Sequence, residues 1–432
     1  MVTGFRHRAL YLLRRYMRRV TMLFRFLAVG VMLAASLSVA PRSLAQQAAA
    51  PACEASIPQA SGNLGALASA GNRFGFSLFG RLSGGEASGN VFISPMSVAL
   101  ALDMAYNGAR GSTRQAMARA LDLQGMSQPA VRRNAAALLR ALQSADPQAG
   151  LTVANSLWAR SGVPFKRQFL QDARDYYGAR VSTLDFRSPS APATINSWVQ
   201  CATQGKIPSI VDRIPPSMVM YLINAVYFRG KWTHPFLSAR THPQPFTTGN
   251  GQTKSVPLMS QSGMFPYLQG PDFQAISLAY SSGRFSMVVV LPRQGMPLQT
   301  FGKRLTAATW QSWTSQLKTA EGSISLPRFT LTNTFQLESP LAGLGMSQAF
   351  SRSANFSGIC TGSCRISQVR HKTYLSVYEE GTTAAAVTSV GVGATLAPQQ
   401  RFTMLVNRPF FLAIRDEKTN AMLFLGAVSN PS

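Results

Sequence analysis

Apolar residues recur at three- and four-residue spacing through much of the first half of the chain and at two-residue spacing through the second. Leu64–Leu82 and Ser94–Leu121 follow the helical period. In the latter, Val98, Leu100, Ala101, Met104 and Ala105 lie on one face behind a Ser94-Pro95 start, a favourable helix opening. Ala130–Ser144 is amphipathic, with Arg132, Arg133 and Arg140 on its polar side, and Ala193–Thr203 is a helix stopped at Gly205. Leu151–Ala159 alternates as a strand. Beyond residue 220 the predicted strands are Met220–Phe228, Gln274–Leu278, Phe285–Leu291, Ser323–Leu331, Lys372–Tyr378, Phe410–Arg415 and Ala421–Val428, several joined by turns such as Ser282-Gly283. Helices early and strands late predict an α+β domain in which helices pack on largely antiparallel sheets.

Two stretches stand outside this pattern. Residues 1–45 combine an arginine-rich start, an apolar run from Phe26 to Ala40 and Ser43-Leu44-Ala45, the layout of a secretory signal peptide. The apolar run is short for a membrane span, so the protein is expected to be secreted or periplasmic, and membrane-held only if the leader is uncleaved. Residues 46–62, rich in Ala, Gln and Pro, read as a flexible lead-in, which leaves 63–432 as one folded domain.

The second stretch is residues 379–395, EEGTTAAAVTSVGVGAT. After a charged turn it carries no ring, charge or proline. Counted by twos, Thr382, Ala384, Ala386, Thr388, Val390, Val392 and Ala394 are all small or β-branched, and the alternate set is smaller still. Such a segment fits between two existing strands with little steric resistance. Left exposed, it would be an aggregation hazard.

The 432 residues are 46% hydrophobic, enough for a sizeable core. Net charge is +26, from 42 basic and only 16 acidic residues, and eight of the arginines fall in the leader. The remaining bases are scattered, which describes a solvated basic surface, and no nucleic-acid partner is expected. Four cysteines in an exported chain permit two disulfides in three pairings; Cys360 with Cys364 is the short closure, leaving Cys53 with Cys201. No metal or cofactor is expected, since the CxxxC has no second pair and only three histidines follow the leader. The motifs of serine hydrolases, zinc peptidases, P-loops and dinucleotide sites are all missing. Glu379 and Glu380, adjacent on a strand, point to opposite faces and cannot flank one bond. An enzyme is not expected.

Asn90–Ser97 (NVFISPMS) with Gly108–Thr113, Ile195–Val199 (INSWV) with Thr203–Ile207 (TQGKI), Leu222–Trp232 (LINAVYFRGKW) with Pro235-Phe236, Asn407–Phe411 (NRPFF) and Phe424–Pro431 (FLGAVSNP) occur in an order that resembles the serpins. The resemblance runs from about residue 65 to the C-terminus and is to an inhibitory, secreted bacterial type. It implies helices packed on three β-sheets and an exposed reactive-centre loop, about 379–401, able to insert into the large central sheet.

The implied activity is suicide inhibition of a serine endopeptidase: the target attacks the loop, and loop insertion traps the covalent acyl complex. Position by position, the resemblance makes Glu379, Gly381, Thr382, Ala384, Ala385 and Ala386 the loop hinge. It makes Ser94, Ser97, Asn224 and His371 the polar cluster where the sheet opens, and Trp232, Arg328 and Glu379 the point of first insertion. The family spacing sets the scissile bond at Thr395–Leu396, within 394–398. With no base there until Arg401, elastase- or subtilisin-like enzymes are expected rather than trypsin-like ones, and papain-like cysteine proteases stay open. A non-inhibitory binding or storage protein is the other functional reading. Arg132, Arg133 and Arg140 lie where some members bind sulfated polysaccharide, and a monomer is expected.

Overall fold

The protein is described from a computed structural model covering residues 61–84, 89–146, 148–215, 217–362, 364–382 and 401–431. The expected leader, most of the 46–62 lead-in, Cys53, the hinge residues Ala384, Ala385 and Ala386, and the Thr395–Leu396 pair lie outside the described residues. Among the described residues no helix is long and apolar enough to cross a membrane.

The strand Met220–Lys231 is buried almost throughout because both of its faces are covered. Tyr221, Ile223 and Ala225 point to a small core beneath the helix Ala191–Ala202, where Trp198 meets Trp158 edge to face. Leu222, Val226 and Phe228 point into the main core, where the ring of Phe228 contacts Tyr280, Phe285 and Phe424. The period-two division of one sequence between two cores makes this strand the axis of a six-stranded sheet. Its order is Phe329–Gln336, Gln368–Tyr378, Gly381–Thr382, Met220–Lys231, Ala149–Arg160, Arg180–Leu184. Gln368–Tyr378 alternates strictly, its odd-numbered residues buried.

A nine-stranded sheet holds the remaining strands. Its long member, Thr253–Gln269, pairs with Phe273–Tyr280 at one end and with Thr241–Thr247 and Lys318–Pro327 over the rest. Divided at this shared strand, the nine strands form two of the three expected sheets. The helix Pro95–Gly108, every residue of which is buried, packs between this body and the six-stranded sheet, and Leu64–Ser83 packs against it and the larger sheet.

Two predicted elements are divided in the structure. The helical stretch Ser94–Leu121 breaks after Gly108, whose Cα sits so close to Ile359 that a Cβ would lie 2.2 Å from its side chain; a second helix, Gly111–Ala120, follows. Ser323–Leu331 is two strands, Lys318–Pro327 in the larger sheet and Phe329–Gln336 in the smaller, and the chain crosses at Arg328, whose N–H donates to the Pro257 carbonyl. The helix Arg167–Tyr177 and the strand Thr253–Gln269 were not anticipated. Pro257 and Pro266 hide the latter's pattern, and its pairing on both edges outweighs them.

Inside the helix Pro95–Gly108 lies Asp103, 1% exposed, with no hydrogen-bond partner for either carboxylate oxygen among the described residues. Burial pushes its pKa up to about 8. The folded protein therefore holds a proton that the unfolded chain gives up near pH 4. The resulting stability is full below pH 4 and is lost as pH rises to 8, by roughly 1.4 kcal/mol per pH unit. Asp103→Asn is expected to melt within a degree or two of the parent at pH 4 and several degrees above it at pH 8; Tm curves that stay parallel across this range would contradict the assignment.

Candidate functional site

The strands Met220–Lys231 and Gln368–Tyr378 run parallel and pair over seven rows, from Gln368 with Tyr221 to Tyr374 with Tyr227. Beyond Tyr374 they part, and the chain returns between them. Gly381 and Thr382 pair antiparallel with Tyr378 and Val377 on one side and with Lys231 and Gly230 on the other. A short third strand is thus already seated at the top of the gap.

The sequence explains why these two residues can occupy it. Gly381 has φ +148°, and a Cβ there would stand 2.1 Å from the Gly230 carbonyl oxygen, so no other residue fits without moving backbone. Thr382 is fully buried, its hydroxyl 3.0 Å from that of Tyr280. Tyr280 in turn stacks on Trp232, ring centroids 4.3 Å apart. Trp232 closes the corner: its indole N–H donates to the Tyr378 carbonyl at 2.9 Å and its backbone N–H to that of Glu380. Glu379 is 7% exposed; it accepts from the Thr241 hydroxyl at 2.8 Å, and Arg328 approaches the same oxygen at 3.7 Å. Arg328 is half exposed, so this ion pair is worth about 0–1 kcal/mol, and the hydroxyl is the firmer tether.

Lower in the gap, a polar row crosses three strands where apolar side chains would be expected. Asn155, Asn224 and His371 are direct ladder partners. His371 Nδ1–H donates to Asn224 Oδ1 at 2.6 Å, and its Nε2 accepts the Ser94 backbone N–H at 3.0 Å. The Asn224 amide donates to Asn155 Oδ1 at 2.6 Å and to the Ser97 hydroxyl at 2.5 Å. This arrangement requires a neutral imidazole, and burial pulls the His371 pKa down to about 3. Ser94 contributes its backbone; its hydroxyl is buried without a partner among the described residues.

The structure therefore brings together Ser94, Ser97, Asn224 and His371 in one place, and Trp232, Glu379, Arg328, Gly381 and Thr382 in another. Sequence reading missed Asn155, Gly230 and Tyr280. An asparagine within an alternating strand was the available signal for the first; the other two matter through packing that only the fold reveals.

A family model described as serpin (serine protease inhibitor) matches residues 69–431. The chain belongs to the serpin family. Leukocyte elastase inhibitor of Bos taurus is 34% identical over 379 residues, 84% of this serpin and 99% of that protein. The native-state crystal structure of the thermophilic serpin tengpin superposes with a TM-score of 0.80 at 32% identity, covering 87% of this chain and 97% of that one. Human thyroxine-binding globulin, crystallised with its thyroxine, gives 0.79 at 28% identity over 85% and 99%.

Elsewhere on this serpin, the sulfurs of Cys360 and Cys364 lie at bonding distance, with Cα atoms 6.4 Å apart. Of the three helix arginines, Arg132 pairs with Asp172 at 2.5 Å and lies over the Tyr176 ring, while Arg133 is exposed.

Because the folded His371 pKa is depressed, the stability it contributes is complete above pH 6.5 and is lost as pH falls toward 3. His371→Gln is expected to lower Tm at pH 7, and its deficit against the parent is expected to shrink between pH 6.5 and 4, by roughly 1.4 kcal/mol per pH unit. Equal slopes in variant and parent would mean that the imidazole is not the titrating group.

Proposed function

We propose that this serpin is an inhibitor of serine endopeptidases, acting as a suicide substrate through insertion of residues 383–394 into the six-stranded sheet. The observation that carries the reading is the seating of Gly381 and Thr382 between Met220–Lys231 and Gln368–Tyr378. Continued in the same register, Ala384 comes level with Leu375 and Phe228, Ala386 with Thr373 and Val226, and Val390 with Val369 and Leu222. Residues directly opposite in a ladder share a face, and the odd-numbered residues of Gln368–Tyr378 are buried. The small set Thr382, Ala384, Ala386, Thr388, Val390, Val392 and Ala394 therefore turns inward, where large or charged groups would not fit.

Insertion replaces one parallel pairing by two antiparallel ones, gaining a strand's worth of hydrogen bonds in the better geometry. That gain is the driving force. The bait is the Thr395–Leu396 bond: the protease's serine attacks the Thr395 carbonyl, the peptide bond breaks, and the amine of Leu396 leaves with a proton. Insertion then carries the acyl-bound enzyme away before water can release it. Thr395, with no basic residue near it, suits a small apolar specificity pocket, and the relative whose name specifies leukocyte elastase supports an elastase-like target.

Incubation with an elastase, a subtilisin and a trypsin is expected to give a band of summed mass on a denaturing gel with one of the first two, and mass spectrometry should place the cut at Thr395. Thr382→Arg would force a charge into the fully buried position beside Tyr280. It is expected to be cut at the same bond with the covalent band reduced at least tenfold. An unreduced band from Thr382→Arg would contradict insertion from this hinge; cleavage of the parent without any band, for every enzyme, would favour a binding role.

A further inference from the structure

The foot of the same strand gap holds a second feature, unrelated to hinge or polar row. The segments that lead into Met220–Lys231 and Gln368–Tyr378 are cross-linked there: the Ser367 N–H donates to the Met220 carbonyl, and the Val219 N–H to the Ser367 hydroxyl, both at 3.1 Å. Beside this clasp lies a cavity of about 350 Å3, lined by Pro215, Ser217 and Met218 from one segment, Arg365 and Ser367 from the other, and Phe350 and Arg352 from the chain between. Its lining includes two arginines and two serines and no acidic residue. Neither Arg352 nor Arg365 is in an ion pair among the described residues.

We infer that this cavity is an oxyanion site, with Arg352 and Arg365 as the charged fork and Ser217 and Ser367 as hydrogen-bond donors. Guanidinium groups match phosphate, sulfate and carboxylate by paired parallel N–H donors, and two arginines lining one pocket that no acidic residue lines offer an anion such donors. An occupant would touch both segments and reinforce the clasp at the base of the gap, so binding stabilises the uncut protein by mass action.

The occupant has two possible sources. One is a free inorganic or substituent oxyanion from solution. The other, which rests on the insertion reading above, is the chain itself: the ladder, if continued from Thr382, would bring Ala394 level with Arg365 and Met218 and the α-carboxylate created by cleavage after Thr395 to the lining of this cavity.

Titration of the intact protein with inorganic phosphate against chloride at equal ionic strength tests the site. The expected result is saturable binding by calorimetry, with a Tm rise of about 2 °C at tenfold excess over Kd. Arg352→Gln and Arg365→Gln should each weaken it at least tenfold, and the exposed helix variant Arg133→Gln should leave it unchanged. Absence of saturable binding, or binding that survives both pocket substitutions, would overturn the site. Repeating the titration on loop-cut protein separates the sources: lost phosphate affinity together with a lower Tm of cut Arg352→Gln and Arg365→Gln identifies the chain's own carboxylate as occupant, lost affinity without that Tm fall rules the carboxylate out, and retained affinity identifies a solution anion. The intact-protein result stands or falls whether or not the loop inserts, so failure of the pocket is distinguishable from failure of the inhibitory mechanism.

Discussion

Everything in this structure is arranged around one incomplete pairing. Met220–Lys231 and Gln368–Tyr378 are hydrogen-bonded for seven rows and then forced apart by Gly381 and Thr382. Main-chain donors and acceptors cannot be left buried and unpaired, so the separated ends require either water or a strand between them. Two residues satisfy the first rows. The stack of Trp232 on Tyr280, with the indole bond to the Tyr378 carbonyl, holds the wedge open.

The polar row beneath it makes the closed rows separable. Apolar side chains across Asn155, Asn224 and His371 would weld the strands; hydrogen bonds can instead be exchanged. On the proposed insertion, Thr388 would fall between His371 and Asn224, where a hydroxyl could take up the bond that their separation breaks. The cost is a buried neutral imidazole that resists acid poorly. Asp103 opposes it, since its carboxyl takes up a proton on folding over much of the same pH range in which His371 excludes one. Between about pH 4 and 6.5 the two slopes largely cancel.

Much of this was legible in the sequence. The even-numbered small residues after Gly381 suggested a strand; of that set the described residues include Thr382, buried between the two strands. The clustering of Ser94, Ser97, Asn224 and His371 followed from resemblance to the serpins, since residues 277 positions apart carry no periodic signal of contact. What stayed hidden depends on tertiary pairing. Thr253–Gln269 looks broken by prolines until its two sets of partners are seen, and Ser323–Leu331 reads as one strand because alternation continues across Pro327-Arg328 while the chain changes sheets. Tyr280 gives no hint that its hydroxyl meets Thr382, a contact between residues brought together only by the bridge from Trp232 to Tyr280.

The most direct test of the account is the crystal structure of the protein after cleavage in the loop. A new central strand antiparallel to both neighbours is expected, with Ala384 opposite Leu375 and Phe228 and with Thr388 between His371 and Asn224. A cut protein in which Gln368–Tyr374 still pairs directly with Tyr221–Tyr227 would contradict it.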